Sequence, residues 1–214
     1  MIEVLTNINV IFYILAYFCG GIPFGYLLVK YLYNTDIRKT GSGAIGATNV
    51  YRALKDKTQN AKKISILTII LDSIKGLLVV LGAKLFGLSY ETQWAIAILS
   101  VLGHCYSPYL GFSGGKGVAT AIGSVILLIP IEGILGLVAW GVVGKIFKIS
   151  SISSLVGVSF AVAMTFVIPP LHESISIEPQ IGTHAPVLIL LALIIYTHLP
   201  NIYRLITKQE SNIF

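Results

Sequence analysis

Seven apolar stretches, near residues 8–30, 64–88, 93–110, 117–131, 133–148, 153–170 and 185–206, take up most of this 214-residue chain. A helix crossing a bilayer needs about 20 predominantly apolar residues. Only 11% of the residues are charged and 55% are hydrophobic, whereas a soluble domain carries roughly 25% charged residues. Too little polar side chain is present to cover a water-facing globule. The chain therefore reads as an all-α integral membrane protein, a single membrane-embedded domain over residues 1–214. The same composition excludes disorder. Two cysteines, Cys19 and Cys105, cannot make a disulfide scaffold and have no metal-ligand spacing. No basic segment precedes the first apolar stretch and no small-residue cleavage site follows it, so no cleavable signal peptide is expected.

Charge placement sets the expected topology. The fourth and fifth stretches are short and are separated by Pro130, Glu132 and Gly133. If they form a hairpin of two short helices, the chain crosses seven times. One side then receives 13 of the 15 basic residues, Lys30, Arg38, Lys39, Arg52, Lys55, Lys57, Lys62, Lys63, Lys116, Lys145, Lys148, Arg204 and Lys208. One long kinked helix over 117–148 would move Lys145, Lys148, Arg204 and Lys208 to the other side and weaken that bias sharply. Basic residues collect on the cytoplasmic side, which predicts seven transmembrane helices, an outer N-terminus and a cytoplasmic C-terminus. The net charge of +6 is then mostly a topology signal, and no nucleic-acid partner is expected.

Four polar or glycine-rich clusters interrupt the apolar pattern, all on the expected cytoplasmic side. The first is Gly41-Ser42-Gly43-Ala44-Ile45-Gly46-Ala47-Thr48-Asn49-Val50-Tyr51-Arg52. Exposed N–H groups in glycine turns attract anions, and the Arg52 guanidinium is a fork suited to phosphate. Gly41, Gly43 and Gly46 match GxGxxG, but the segment follows a membrane helix instead of a strand, which argues against dinucleotide binding. The second runs from Gly103-His104-Cys105 to Gly114-Gly115-Lys116-Gly117-Val118-Ala119-Thr120. It lacks the first glycine and the Ser/Thr of a P-loop, yet it places a lysine in a glycine nest at a helix start, a natural anion site. The third is Ser150, Ser151, Ser153 and Ser154. Serines at a helix start also serve as caps. The fourth is His198-Leu199-Pro200-Asn201-Ile202-Tyr203-Arg204, where His198 and Asn201 share a helix face.

Inside the second stretch, Asp72 and Lys75 stand one turn apart. A charge near the bilayer centre costs at least about 2.5–3.5 kcal/mol, so an ion pair facing the bundle interior is expected, as structural support or as a floor to a site.

The four clusters contain no Asp or Glu. A carboxylate cage for Mg²⁺ and paired carboxylates for glycosidic chemistry are missing from them, as are the several aspartates of CDP-alcohol phosphotransferases. His-x4-Asp, the signature of many soluble-type glycerolipid acyltransferases, is absent. The remaining Ser, Thr, Asn, Lys, Arg and His side chains bind phosphates and polarise oxygens. No metal or cofactor is expected.

These motifs carry a resemblance. GSGAIGATNVYR resembles the glycine-rich first motif of the PlsY-type membrane-embedded bacterial glycerol-3-phosphate acyltransferases. GHCYSPYLGFSGGKGVAT is similar to the second motif of that family along almost its whole length. Ser153-Ser154-Leu155 and the terminal His198, Asn201 and Arg204 resemble the third and C-terminal motifs, in the family order. One position departs: Ala44 stands where the family usually has Asn.

The resemblance implies seven helices and acyl transfer from acyl-phosphate to the 1-hydroxyl of sn-glycerol 3-phosphate. Lysophosphatidate and phosphate are released, in the first acylation step of phospholipid biosynthesis. It implies a bacterial cytoplasmic (inner) membrane location, a cytoplasm-facing active site, and a functional link to an enzyme that makes acyl-phosphate. The site residues expected on this reading are Ser42, Thr48, Arg52, His104, Lys116, Ser153, Ser154, His198 and Asn201. Gly43, Gly114, Gly115 and Gly117 would add backbone contacts to phosphate, together with Lys116, Arg52 and the two serines. His104 would position substrate or act as base. The acyl tail would lie between helices, open to the bilayer. The rival class is a transporter or channel for phosphate or another small anion. Transport sites usually sit near the midplane on broken helices, often with internal repeats; here the clusters share one face and no repeat is visible. A lipid-binding scaffold without turnover is a third class.

Overall fold

The structure is a computed structural model, and it describes residues 6–210. Among these residues it is entirely helical. The expected apolar stretches become helices. The first is bent by 40° into α1 (Ile8–Gly21) and α2 (Phe24–Tyr33). A polar segment holding the short α3 (Ala47–Leu54) follows. Then come α4 (Ala61–Leu85), α5 (Tyr90–Cys105), α6 (Val118–Val125), α7 (Pro130–Phe147) and α8 (Ser150–Val167). The short α9 (Ile177–Ile181) precedes the final α10 (Ala185–Ile206). Helices α1 and α5, α4 and α6, and α7 and α8 form the closest pairs, and α10 packs on α5 and α8.

Four of these helices, α4, α7, α8 and α10, are long and apolar enough to cross a membrane, and a fifth span results if the bent α1–α2 pair counts as one. The fourth apolar stretch yields only the 8-residue α6, about 12 Å long at 1.5 Å per residue. The fifth is longer than expected. Pro130 does not break it but starts it, because a proline at the first helical position lacks only an N–H that would be unpaired anyway. The chain ends, on which the expected orientation rests, lie partly at 1–5 and 211–214, outside the described residues.

Burial is inverted relative to a soluble fold. Leu78, Val142, Ile146 and Phe166 are exposed, while Thr68, Asp72, Ser100, Ser124, His104 and His198 are buried. In lipid, polar groups must be satisfied inside the protein. Ser100 and Ser124 meet at 2.8 Å between α5 and α6. Small residues let helix backbones approach: a side chain at Gly123 would run into the Ser73 backbone, and one at Gly76 into the Thr120 carbonyl, so α4 and α6 touch main chain to main chain.

The expected ion pair forms, with Lys75 Nζ 2.8 Å from Asp72 Oδ1 and both side chains buried. Removing one partner of such a pair strands the other charge, at about 3–5 kcal/mol, whereas replacing both by apolar groups is often close to neutral. Lys75→Met should therefore lower the thermal unfolding temperature in detergent sharply. Asp72→Leu added to it should restore the part of the loss owed to the stranded carboxylate, while the Ile22 carbonyl and His104 Nδ1 stay without their donor. Equal melting of the single and double variants would contradict the pair's role.

Candidate active site

The first glycine-rich cluster is organised by Asn49. Buried on α3, its Nδ2 donates among the carbonyl oxygens of Ile37, Thr40 and Ala44 at 2.8–3.0 Å. Its Oδ1 accepts from the Ser42 backbone N–H at 3.0 Å. One amide side chain thus satisfies four backbone groups of a loop that has no strand or helix partners to do so. Gly43, at positive φ, makes the turn back to Thr40. The folded loop presents Ser42, Thr48 and Arg52 to a common cavity. Thr48 Oγ1 lies 2.9 Å from Ser150 Oγ and joins the loop to α8.

The second cluster turns on its glycines for two different reasons. Gly117 caps α6 at φ 84°, a left-handed conformation that costs glycine nothing. Gly115 packs against the Nε2 end of the His104 ring, where any Cβ would collide. Its N–H donates to the His104 carbonyl at 3.0 Å, so this expected phosphate donor is already used. Lys116 and Gly117 line the cavity; Gly43, Gly114 and Gly115 do not. The Lys116 carbonyl accepts from Thr197 Oγ1 of α10 at 3.1 Å.

Of the serines at the start of α8, Ser150, Ser151 and Ser154 line the cavity. Ser153 does not: its Oγ donates back to the Ile149 carbonyl at 2.9 Å, and the side chain lies against Gly144 of α7. On α10, which continues through Pro200, His198 and Asn201 are buried on one face and reach the cavity. His198 Nδ1 lies 2.7 Å from the Ile194 carbonyl, which can only accept. The proton of the neutral ring is therefore on Nδ1, and the Nε2 lone pair is left to the cavity.

The structure adds a carboxylate that cluster spacing did not reveal. After α10, Lys208 adopts φ 56° and the chain folds back, so that the Glu210 N–H reaches the Arg204 carbonyl. The Glu210 side chain accepts from Ser151 Oγ (3.1 Å), Asn201 Nδ2 (2.7 Å) and Arg204 Nε (2.7 Å). Burial alone would push its carboxyl up; the bonds from Arg204, Asn201 and Ser151 hold it below the usual carboxylate range. Six positions separate it from Arg204, so only the turn at Lys208 brings it into the site. Asn49 and Ser151 were visible in the sequence as polar members of their clusters, but nothing there set them apart.

Six chain segments thus meet around one cavity: the first loop with α3, α4, the second cluster with α6, α7, α8, and α10 with the turn after it. Arg52 and Lys116 supply positive charge. Burial, with Arg204 and Arg52 nearby, pushes the Lys116 ammonium down to about 8, against the opposing pull of Glu210. Asp72 and His104 also line this cavity. A second, apolar cavity lies between α6, α7, α8 and α10, and the two share Val118, Ile122, Trp140 and Ser154 as walls. The combined space is cationic and hydroxyl-rich at one end and greasy at the other. Among the described residues no His/Cys/Asp/Glu group is arranged to hold a metal ion.

The Glu210 clasp should matter to stability with a definite sign. A carboxyl lowered by folding contributes fully above its unfolded value, and that contribution is lost as pH falls through its folded value. Wild-type thermal stability in detergent should drop below the ordinary carboxylate range, and Glu210→Gln should flatten that part of the profile. A profile unchanged by the substitution would show that the clasp carries no weight.

The glycerol-3-phosphate acyltransferase family model matches residues 10–208. A Helicobacter hepaticus glycerol-3-phosphate acyltransferase is 64% identical over 213 residues, covering 98% of this chain and 95% of the relative. One from Helicobacter pylori strain J99 is 50% identical over 216 residues, covering 100% and 98%. The crystal structure of PlsY, an integral membrane glycerol 3-phosphate acyltransferase in its glycerol 3-phosphate form, superposes with a TM-score of 0.81. It is 34% identical and covers 95% of this chain and 94% of that one. Sequence and fold agree along nearly the full length: the chain belongs to the glycerol-3-phosphate acyltransferase family, as a bacterial membrane enzyme of the PlsY type.

Proposed function

We propose that this chain transfers an acyl group from acyl-phosphate to the 1-hydroxyl of glycerol 3-phosphate. One observation supports the reading most strongly: the cavity holding Arg52 and Lys116 shares walls with an apolar cavity between α6, α7, α8 and α10. A phosphate head and an acyl tail on one substrate need such a junction. Family membership supports glycerol 3-phosphate as acceptor. The donor is argued from chemistry. An acyl-phosphate is an activated anhydride, so the site needs no protein nucleophile, and its set of anion-binding side chains suits a phosphate leaving group.

In the proposed step, the glycerol hydroxyl oxygen attacks the acyl carbonyl carbon. The new ester C–O bond forms and the C–O bond to the phosphate breaks, releasing inorganic phosphate. The hydroxyl proton passes to a substrate phosphate oxygen. Arg52, Lys116, Ser42 and Ser154 bind phosphate oxygens. Thr48, His198 through its Nε2 lone pair, and Asn201 orient glycerol phosphate. Glu210 holds Asn201 and Arg204 in position. Ser153 supports α8 from behind, with its hydroxyl already bonded to the chain. The seven-helix topology, with the site facing the cytoplasm of the inner membrane, belongs to the same reading: it leaves the site open to soluble glycerol 3-phosphate and to donor from an acyl-phosphate-producing enzyme.

Purified protein in detergent, given acyl-phosphate and glycerol 3-phosphate alone, should form lysophosphatidate and phosphate. Turnover without a membrane-bounded compartment separates an enzyme from an anion transporter. Lys116→Ala should lower turnover by about 10²–10³-fold, the usual cost of an oriented charge-stabilising donor. Near-wild-type turnover would refute its role.

Lys116 is cationic below about pH 8 and neutral above it. The value of kcat/KM for glycerol 3-phosphate reports the free enzyme, so it should fall as pH rises through about 8. Lys116→Arg should move that limb to higher pH. A limb unmoved by the substitution would assign the ionisation to another group.

A further inference from the structure

His104 is buried at the end of α5, with its ring against the Gly115 turn and on the wall of the cavity that Lys116 and Gly117 also line. What fixes its chemistry lies behind it. Lys75 Nζ is 2.9 Å from His104 Nδ1, 2.7 Å from the Ile22 carbonyl oxygen and 2.8 Å from Asp72 Oδ1. An ammonium has three N–H donors and no lone pair. Lys75 hydrogen-bonds the Ile22 carbonyl and His104 and makes an ion pair with Asp72, and because it can only donate, Nδ1 of His104 is an acceptor. The Asp72 carboxylate, at 3.6 Å from Nδ1, is too far to accept a proton from it. The ring's one proton then sits on Nε2. That nitrogen has no hydrogen-bond partner among the described residues; it borders the space that Gly115 leaves open by having no Cβ, and the His104 side chain lines the cavity.

We propose that His104 is a fixed hydrogen-bond donor to the acyl carbonyl oxygen and not the general base, with Lys75 as the positioning residue that holds this tautomer. The inference rests on the acyl-transfer reading above. As the hydroxyl attacks, negative charge grows on the carbonyl oxygen, and a donor set in place beforehand stabilises that charge without reorganising. A ring whose Nδ1 is occupied by a lysine and whose Nε2 already carries hydrogen has no lone pair left with which to take a proton. The two cavity histidines are thus locked in opposite tautomers. His198 carries its proton on Nδ1, against the Ile194 carbonyl, and offers a lone pair; His104 offers a proton.

The substitution His104→Gln separates donor from base. A glutamine can turn its carbonyl to Lys75 and its amide N–H₂ to the cavity, keeping the donor while removing any titrating base. His104→Leu keeps the bulk and loses both. With the full chain in detergent, and folding checked by thermal melting, His104→Gln should keep kcat within about tenfold, while His104→Leu should lose about 10²–10³-fold in kcat with little change in either KM. The pH–rate profile of the glutamine variant should match wild type. Glutamine and leucine variants that are equally inactive while folded, a pH limb that vanishes in the glutamine variant, or a loss confined to KM would each overturn the proposal.

Nitrogen NMR of ¹⁵N-histidine-labelled protein, with His104 assigned from the glutamine variant, reads the tautomer without any substrate. It should show Nε2 protonated and Nδ1 bare, and Lys75→Met should mix the two forms. Protonated Nδ1 in the wild type would overturn the proposal even if turnover is normal. Absence of wild-type turnover with acyl-phosphate would fault the donor reading instead, and the tautomer measurement would still decide His104.

Discussion

The Lys75 ammonium is the interaction on which this structure turns. It is buried inside a 25-residue apolar helix. It must find its partners within the protein, and each comes from a different kind of need. The Ile22 carbonyl is exposed by the break between α1 and α2, next to Pro23. The Asp72 carboxylate lies on the same helix. His104 belongs to α5. One charge therefore ties a helix break, a helix interior and a neighbouring helix together directly beneath the glycine turn of the site. The position of His104, and with it the close contact of Gly115, follows from that tie.

The same scarcity of charge explains how the active site is built. Polar groups that are not spent on structure are few, and they gather where segments of irregular backbone meet. Asn49 shows the division of labour. It serves four backbone groups of the first loop, and the loop so folded carries Ser42, Thr48 and Arg52 on the cavity wall. Gly115 shows the opposite case, a predicted ligand donor consumed by the fold. Glu210 lies between the two. It enters the cavity only to hold Ser151, Asn201 and Arg204, with a carboxylate oxygen standing close to where an incoming phosphate would need cations.

Much of this was legible in the sequence. Hydrophobic runs of bilayer length located the helices, and four clusters without a carboxylate pointed to anion-bearing substrates. Asp72 and Lys75 were legible as a pair because a charge in an apolar helix needs a partner one turn away. Other features were not. The length of α7 depended on Pro130 starting a helix instead of ending one, which the residue alone does not decide. Ser153 and Ser154 are adjacent, so on a helix they point about 100° apart and cannot both face one cavity; which one does is settled by packing against Gly144. Glu210 reaches the site through a left-handed turn at Lys208, a residue type with no preference for that conformation. Spacing along the chain carries information only while the backbone is regular, and the site lies where it is not.

On the proposed function, the two adjoining cavities take a phosphate at the cationic end and an acyl chain at the apolar end. A structure of this protein with lysophosphatidate bound tests it most directly. The phosphate should lie against Arg52 and Lys116, with the acyl chain entering between α6, α7, α8 and α10 past Val118, Ile122 and Trp140. A chain lying on the outer surface of the helices, with the α6–α7–α8–α10 cavity empty, would contradict it.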